Sequence, residues 1–325
     1  MMLRPAVAAI IAVLSFSAPA GAQTYPDRPI TLIVPFAAGG STDVFARLVG
    51  QSMSQTLGQQ IVVENAAGAG GTVAAARVAR ASADGYTLLI HHLALAAGAT
   101  LYPRLSYDTL TDFEPIGLVN SGPYVLVSKP ALAPRNIAEL IAYIRANKDK
   151  VSMGHSGVGA GSHLCIMLLQ SMLGVKVNEI PYRGAGPAMN DLVGGQIDMM
   201  CDQTTNSIPQ IRGGRIRAHA VTVPERVSQL AEVPTLQEAG LSGFDVTVWH
   251  ALYAPKGTPR PIIGTLHAAL EKALQDPLIL ARFDELGTLA YPPGRRGPAE
   301  ARAQLEREVA KWGRLIREAG ISAAN

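Results

Sequence analysis

The sequence predicts an α/β fold in two lobes, each a mainly parallel sheet flanked by helices, with a hinge between the lobes. Three observations carry this. Short apolar, β-branched runs alternate with stretches of helical spacing along nearly the whole chain, the pattern of βαβ units. Several joints between a run and the stretch that follows are rich in Gly, Ala and Ser. Two turn-rich segments, Asn120–Pro123 and Thr222–Arg226, set off a middle block from the two outer ones. The expected lobes are therefore residues 23–121 with 222–325, and residues 122–221.

Residues 1–22 read as an export signal. Arg4 supplies the positive start, and Ala6–Ala18 is an apolar run too short to span a bilayer. Small-residue cleavage sites follow at Ala18-x-Ala20 and Ala20-x-Ala22, the second giving a mature start at Gln23. Without a cysteine after that run no lipid anchor is expected, and the mature protein should be soluble and exported.

Strands are expected at 30–35, 60–64, 86–91, 115–119, 123–128, 151–155, 177–181, 196–201, 216–223 and 246–254. Helices are expected at 42–57, 71–81, 136–147, 161–173, 185–194, 204–212, 235–239, 260–275, 278–286 and 298–319. The first pair shows the logic. Ile30-Thr31-Leu32-Ile33-Val34 is a buried strand ended by Pro35, and Val44, Phe45, Leu48 and Val49 then recur at helical spacing with Asp43 in the first turn. Between them lies Phe36-Ala37-Ala38-Gly39-Gly40-Ser41-Thr42. Such a joint exposes unpaired N–H groups at the positive end of a helix dipole, which suits an anion. The same grammar recurs in Val63–Ala79, Met153–Leu169 and Ile180–Gly195. Glycine lets a ligand approach the backbone closely.

Composition excludes several classes. A formal net charge of +3, scattered cations and 5% aromatic residues give no nucleic-acid stripe. No P-loop string occurs, and Gly68-x-Gly70, Gly157-x-Gly159 and Gly184-x-Gly186 each lack the third glycine of a dinucleotide fingerprint. No cofactor is expected, and the absence of H-E-x-x-H and C-x-x-C spacings gives no metal site. Gly154-His155-Ser156-Gly157-Val158 approaches a nucleophile elbow but carries Val158 where the last glycine belongs. An exported serine hydrolase using Ser156 is therefore the rival enzyme reading. Cys165 and Cys201 are equally compatible with a disulfide and with two buried thiols.

The candidate binding residues are Phe36, Ala37, Gly39, Gly40, Ser41, Thr42 and Asp43 in the first loop, and Ser156, Gly157, Gly159, Ser162 and His163 in the third. Tyr182, Arg183 and Gly184 follow in the fourth, with Asp202 at a strand's C-terminal edge. His91 and His92, adjacent on a strand, should face opposite ways, which leaves one of them, taken as His92, for the cleft. Arg183 suits a carboxylate; Asp202 suits a ligand donor or the cap of the next helix.

These strings resemble the Bug-type receptors of tripartite tricarboxylate transport systems. The resemblance rests on Tyr25-Pro26-x-Arg28-Pro29, Val34-Pro35-Phe36-x-x-Gly39-Gly40-x-x-Asp43, Glu64-Asn65-x-x-Gly68-Ala69-Gly70-Gly71, Gly157-x-Gly159…Ser162-His163, Pro181-Tyr182-Arg183-Gly184 and Ala254-Pro255-Lys256-Gly257-Thr258-Pro259. It implies a type II-like periplasmic binding protein, non-enzymatic and monomeric, whose lobes close on a small carboxylate. It further implies that the loops Phe36–Asp43 and Ser156–His163 hold the carboxylate by amides and hydroxyls, and that the partner is a membrane permease. A ligand-sensing protein serving a signalling receptor is the remaining alternative.

Overall fold

Strand β1 (Ile30–Val34) is buried on both faces, and parallel neighbours β2 (Ile61–Asn65) and β3 (Thr87–His92) flank it. Helix α1 (Ser41–Leu57) and helix α2 (Thr72–Ala79) make the first two crossovers, and α3 (Leu93–Leu101) follows β3 directly. The computed structural model describes residues 25–318 and 320; the expected export signal lies outside them. Among the described residues no helix is long and apolar enough to cross a membrane.

Strand β4 (Phe113–Ser128) then runs through the middle of the molecule. Beyond it come α4 (Ile137–Ala146), β5 (Ser152–His155), α5 (Gly161–Leu173), β6 (Asn178–Pro181), α6 (Ala185–Val193), β7 (Met199–Gln203), α7 (Thr204–Arg212) and β8 (Arg217–Val221). The chain returns through β9 (Thr247–Pro255), α8 (Arg260–Ala273), α9 (Pro277–Glu285), the short β10 (Leu289–Ala290) and α10 (Pro298–Glu318). The strand order is β2-β1-β3-β9-β4-β7-β5-β6, with β8 and β10 paired to β4 off this path. The two ends of this path are parallel (β1 with β2 and β3, β5 with β6 and β7), and the centre is antiparallel. The architecture is the two-lobed α/β fold expected, with mixed sheets where mainly parallel ones were expected.

β4 departs from expectation. Two strands separated by a boundary at Asn120–Pro123 were expected; one strand of 16 residues is found. Its first part pairs with β9 as far as Pro123↔Thr247, and from Tyr124 onward it pairs with β7 and β8. Register shifts between Pro115 and Gly117 and between Leu118 and Asn120 bend it. Thr222 fastens the crossing: its hydroxyl accepts from Tyr124 N–H at 3.0 Å and donates to Val246 C=O at 2.7 Å.

Three other elements differ. α3 was not expected; the expected helix at 235–239 is a run of turns; and β7 begins later than the strand expected at 196–201. In the turns, Thr235 Oγ1 accepts from Glu238 N–H at 3.0 Å and Glu238 accepts from Thr235 N–H at 2.7 Å, a capping box that never extends.

One core lies between β1, β3 and β9 and the helices α1, α8 and α9, around Leu32, Phe45, Met53, Leu252, Leu270 and Phe283. A second runs across both halves through α3, α5 and α10, with Leu101, Leu164 and Trp312 buried together. Cys165 and Cys201 form a disulfide that ties α5 to β7, Cα atoms 6.2 Å apart, which closes the alternative left open by the sequence.

Candidate functional site

The loop after β1 is built to hold its shape. Gly39 adopts φ +82°, and its N–H donates to Asp43 Oδ2 at 3.1 Å. The Asp43 carboxylate also accepts from Arg47 (Nε 3.1 Å, Nη2 2.9 Å) and from Asn65 Nδ2 at 2.9 Å. Burial pulls the Asp43 carboxyl up, but these hydrogen bonds outweigh it and hold the group below the usual carboxylate range. Asn65 Nδ2 in turn donates to Phe36 C=O at 3.0 Å. Asp43, expected among the ligand residues, thus spends its carboxylate on bracing the loop. Ser41 and Thr42 open α1 behind Gly40, which caps without a side-chain bond. The Ser41 hydroxyl is buried and has no partner among the described residues.

A wall of imidazoles stands behind this loop. The His92 ring stacks on Phe36, centroids 4.8 Å apart, and His91 meets the same ring edge-on at 6.0 Å. The two histidines were expected to diverge; both reach Phe36 because β3 ends at His92, which caps α3. His92 Nδ1 accepts from Ala94 N–H at 3.1 Å, and His91 Nδ1 accepts from His92 N–H at 2.9 Å. These bonds assign the proton of each neutral ring to Nε2. His250, which the sequence reading missed, shares a 3.1 Å hydrogen bond with Thr42 Oγ1. Burial pulls His91 down to about 4 and His250 to about 3, and lowers His92 well below its ordinary value with help from both neighbours. The wall is therefore uncharged at neutral pH.

The loop after β5 faces this one. Ser162 Oγ accepts from Ser156 N–H at 2.8 Å and lies 2.7 Å from Ser156 Oγ. Phe36, Ala94 and Ala160 form one apolar contact, which brings the entrances of α1, α3 and α5 together. The loop after β6 joins them: Ala37 N–H donates to Arg183 C=O at 3.0 Å, and a Cβ on Gly40 would lie 3.6 Å from Ala185 Cβ. Tyr102 OH donates to Val158 C=O at 2.6 Å. A cavity of about 270 Å³ remains where the loops meet, lined by Phe36, Gly68–Gly71, Ser156–Val158 and Pro181–Arg183. A larger one, about 810 Å³, lies beside α5 and β6 and reaches His163, Gln170 and Glu179, but the loops do not converge on it; convergence of loops, not size, marks the site.

Other expected residues are placed as follows. Tyr182 OH donates to Asp191 Oδ2 at 2.6 Å, and Arg183 is exposed. Asp202 is buried opposite Val125 in β4 and accepts from Asn206 Nδ2 at 2.5 Å; it does not cap α7, whose N-cap is Gln203. Burial pushes its carboxyl up to about 7. His163 has both ring nitrogens engaged, Nδ1 by Gly159 N–H at 3.1 Å and Nε2 facing Glu179 Oε2 at 3.1 Å, so neither is left for a ligand.

The profile of the tripartite tricarboxylate transporter family receptor (TctC) matches residues 45–321. The chain belongs to this family. The chain resembles the solved periplasmic binding protein BugD with TM-score 0.90 and 44% identity, covering 92% of this chain and 99% of the other. MatC from Rhodopseudomonas palustris with bound malate follows at TM-score 0.88 and 40% identity, covering 90% and 100%. Rpa4515 from R. palustris with adipate gives TM-score 0.87 and 33% identity, covering 92% and 99%. The chain is accordingly a periplasmic solute-binding protein of a receptor family rather than an enzyme family. The hydroxyl beside Ser156 is that of Ser162, and the nearby imidazoles turn Nδ1 to backbone amides of Gly157 and Gly159.

Proposed function

We propose that this receptor captures a small carboxylate between its lobes and delivers it to the permease of a tripartite transporter. The lobes in this reading are residues 23–121 with 222–325 and residues 122–221, exported behind the signal at 1–22 and acting as a monomer. The carboxylate sits at the first-turn amides of α1 and α5, where Ser41, Thr42 and Ser162 add hydroxyls. Gly39 leaves open space beside it, and Gly40, Gly157, Gly159 and Gly184 let the loops pack closely around it. His92, whose proton is on Nε2, donates to the distal group, and Phe36 and Tyr182 wall the apolar part.

The observation that carries the reading is the buried Ser41 hydroxyl at the entrance of α1, which has no partner among the described residues. A buried polar atom without a partner costs about 1–3 kcal/mol unless something satisfies it. Helix N-termini supply the complementary charge as fixed dipoles. The malate and adipate held by its structural neighbours are dicarboxylates, in keeping with a site of this kind.

A thermal-shift panel tests it: malate, adipate, shorter and longer dicarboxylates, and the matching diamides. Ligand at about 100 times Kd stabilises by roughly 2.7 kcal/mol. Acids should raise Tm and diamides should not. Equal shifts from acid and amide, or none from any acid, would overturn the proposal.

A further inference from the structure

Beside the loop after β5, the buried His155 and His163 and the half-buried Glu179 form a cluster that carboxylate capture does not itself require. Their potential metal-ligand atoms lie within 4.8 Å of one another, which invites a metal reading. The hydrogen bonds oppose it. His155 Nδ1 accepts from Gly157 N–H at 3.3 Å, and His163 Nδ1 accepts from Gly159 N–H at 3.1 Å. A neutral ring that accepts at Nδ1 carries its proton on Nε2 and has no lone pair there for a cation. Metal-bound imidazoles show the reverse, donating an N–H from the nitrogen away from the metal.

The rest of the cluster fits donation. His163 Nε2 lies 3.1 Å from Glu179 Oε2, and His155 Nε2 lies 3.8 Å from the same oxygen. Gln170 Nε2 donates to Glu179 Oε1 at 2.5 Å, while Gln170 Oε1 accepts from Val177 N–H at 2.7 Å. The carboxylate is thus fixed by a side chain that is itself fixed. Glu179 is brought under the loop by parallel pairing: it lies opposite Met153 in β5, two residues before His155.

The loop needs such support. Gly157 and Gly159 have φ +120° and +77°, conformations a glycine leaves easily. With both N–H groups bound to imidazoles, the loop's path from Ser156 to Gly161 is set before any ligand arrives. Gly161 and Ser162 open α5, and as first-turn groups their amides have no intrahelical acceptor.

We infer that His155 and His163, oriented by Glu179, are positioning residues that preorganise the carboxylate-binding loop of the second lobe by accepting its glycine amides, and are not ligand or metal contacts. The inference rests on the proposed carboxylate site for its purpose, but its test begins without ligand.

Long-range 1H–15N correlation spectra of the labelled protein at neutral pH should show both rings protonated on Nε2; a ring protonated on Nδ1 overturns the assignment. Asn places Oδ1 where histidine has Nδ1, whereas Gln reaches only the Nε2 position. His163→Asn should therefore keep the Gly159 amide as slow to exchange as in wild type, and His163→Gln should lose that protection. Toward the tightest acid of the panel, His163→Asn should bind within about twofold of wild type and His163→Gln roughly tenfold more weakly, the scale of one hydrogen bond. Equal exchange in the two variants overturns the inference. So does loss of the Nε2–H signals on adding ZnCl2. If no acid binds wild type, the carboxylate site fails while spectra and exchange still decide this point.

Discussion

Gly70 is where contact between the proposed lobes is tightest. It lies in the 3₁₀ turn Ala69–Gly71 with φ +62°, and a Cβ there would sit 2.0 Å from Val158 C=O and 2.8 Å from Tyr102 OH. Gly70→Ala imposes two separable penalties. The left-handed backbone costs a non-glycine residue about 1–2 kcal/mol whatever the lobes do, so it lowers the Tm of ligand-free protein by a few degrees. The Tyr102 contact lies within one lobe, but the closer clash, with Val158, exists only where the lobes meet. To relieve it Val158 must retreat by about 1 Å, beyond the range of the Tyr102 hydrogen bond, which is worth about 0.5–1.5 kcal/mol. Ligand affinity, which depends on that contact, should then fall about tenfold or more. Titration calorimetry with the best acid reads the affinity, and a melt without ligand reads the strain. Gly58→Ala supplies the control: φ is +68° and nothing lies within 4 Å of its Cβ, so Tm should drop while Kd stays put. If Gly70→Ala leaves Kd unchanged while lowering Tm like Gly58→Ala, closure does not use this contact and the reasoning fails.

Further tests follow from the same geometry. Asp43→Ala frees Arg47, Asn65 and the Gly39 amide together, and should cost about 2 kcal/mol in urea unfolding and weaken acid binding. Acid should destabilise the fold from about pH 6.5 downward, because His91, His155 and His219 stay neutral in the folded protein until about 4 while the unfolded chain takes up protons at its ordinary value. Each such group contributes a loss of about 2 kcal/mol by pH 5, read as Tm against pH. Asp202 runs the other way: its raised carboxyl adds stability that is complete at low pH and is lost as pH rises through about 7, so Asp202→Asn should remove that limb. Reducing Cys165–Cys201, which are 36 residues apart, should cost about 3–4 kcal/mol by the loop-entropy estimate and leave Kd within twofold, since the bridge ties α5 to β7 within one half.

Sequence patterns made most of the strand–loop–helix joints legible, because Gly39–Thr42 and Gly157–Ser162 announce themselves locally. The misses have physical causes. α3 is Leu-Ala-Leu-Ala-Ala-Gly-Ala-Thr-Leu, buried on nearly every side, so it lacks the polar face that gives a helix its period. The turn residues Asn120–Pro123 sit within a strand because β4 changes partners there, with Thr222 Oγ1 accepting the Tyr124 amide. His250 meets Thr42 across 208 residues, and Glu179 reaches His155 only through sheet pairing. No spacing in the chain encodes either meeting. Asp43 and His163 lie in the loops where they were expected, but their types do not reveal that the carboxylate and the imidazole are already bound to neighbours.

The unbroken course of β4 has a mechanical consequence. Where a linker would let two bodies swivel freely, a strand bonded to β9 on one stretch and to β7 and β8 on the next resists like a leaf spring. Bending it must distort ladder hydrogen bonds, so each excursion carries a restoring force. The same ladder denies a protease the extended, unpaired backbone it needs. Limited digestion should therefore trim the surface turns while the two halves stay joined.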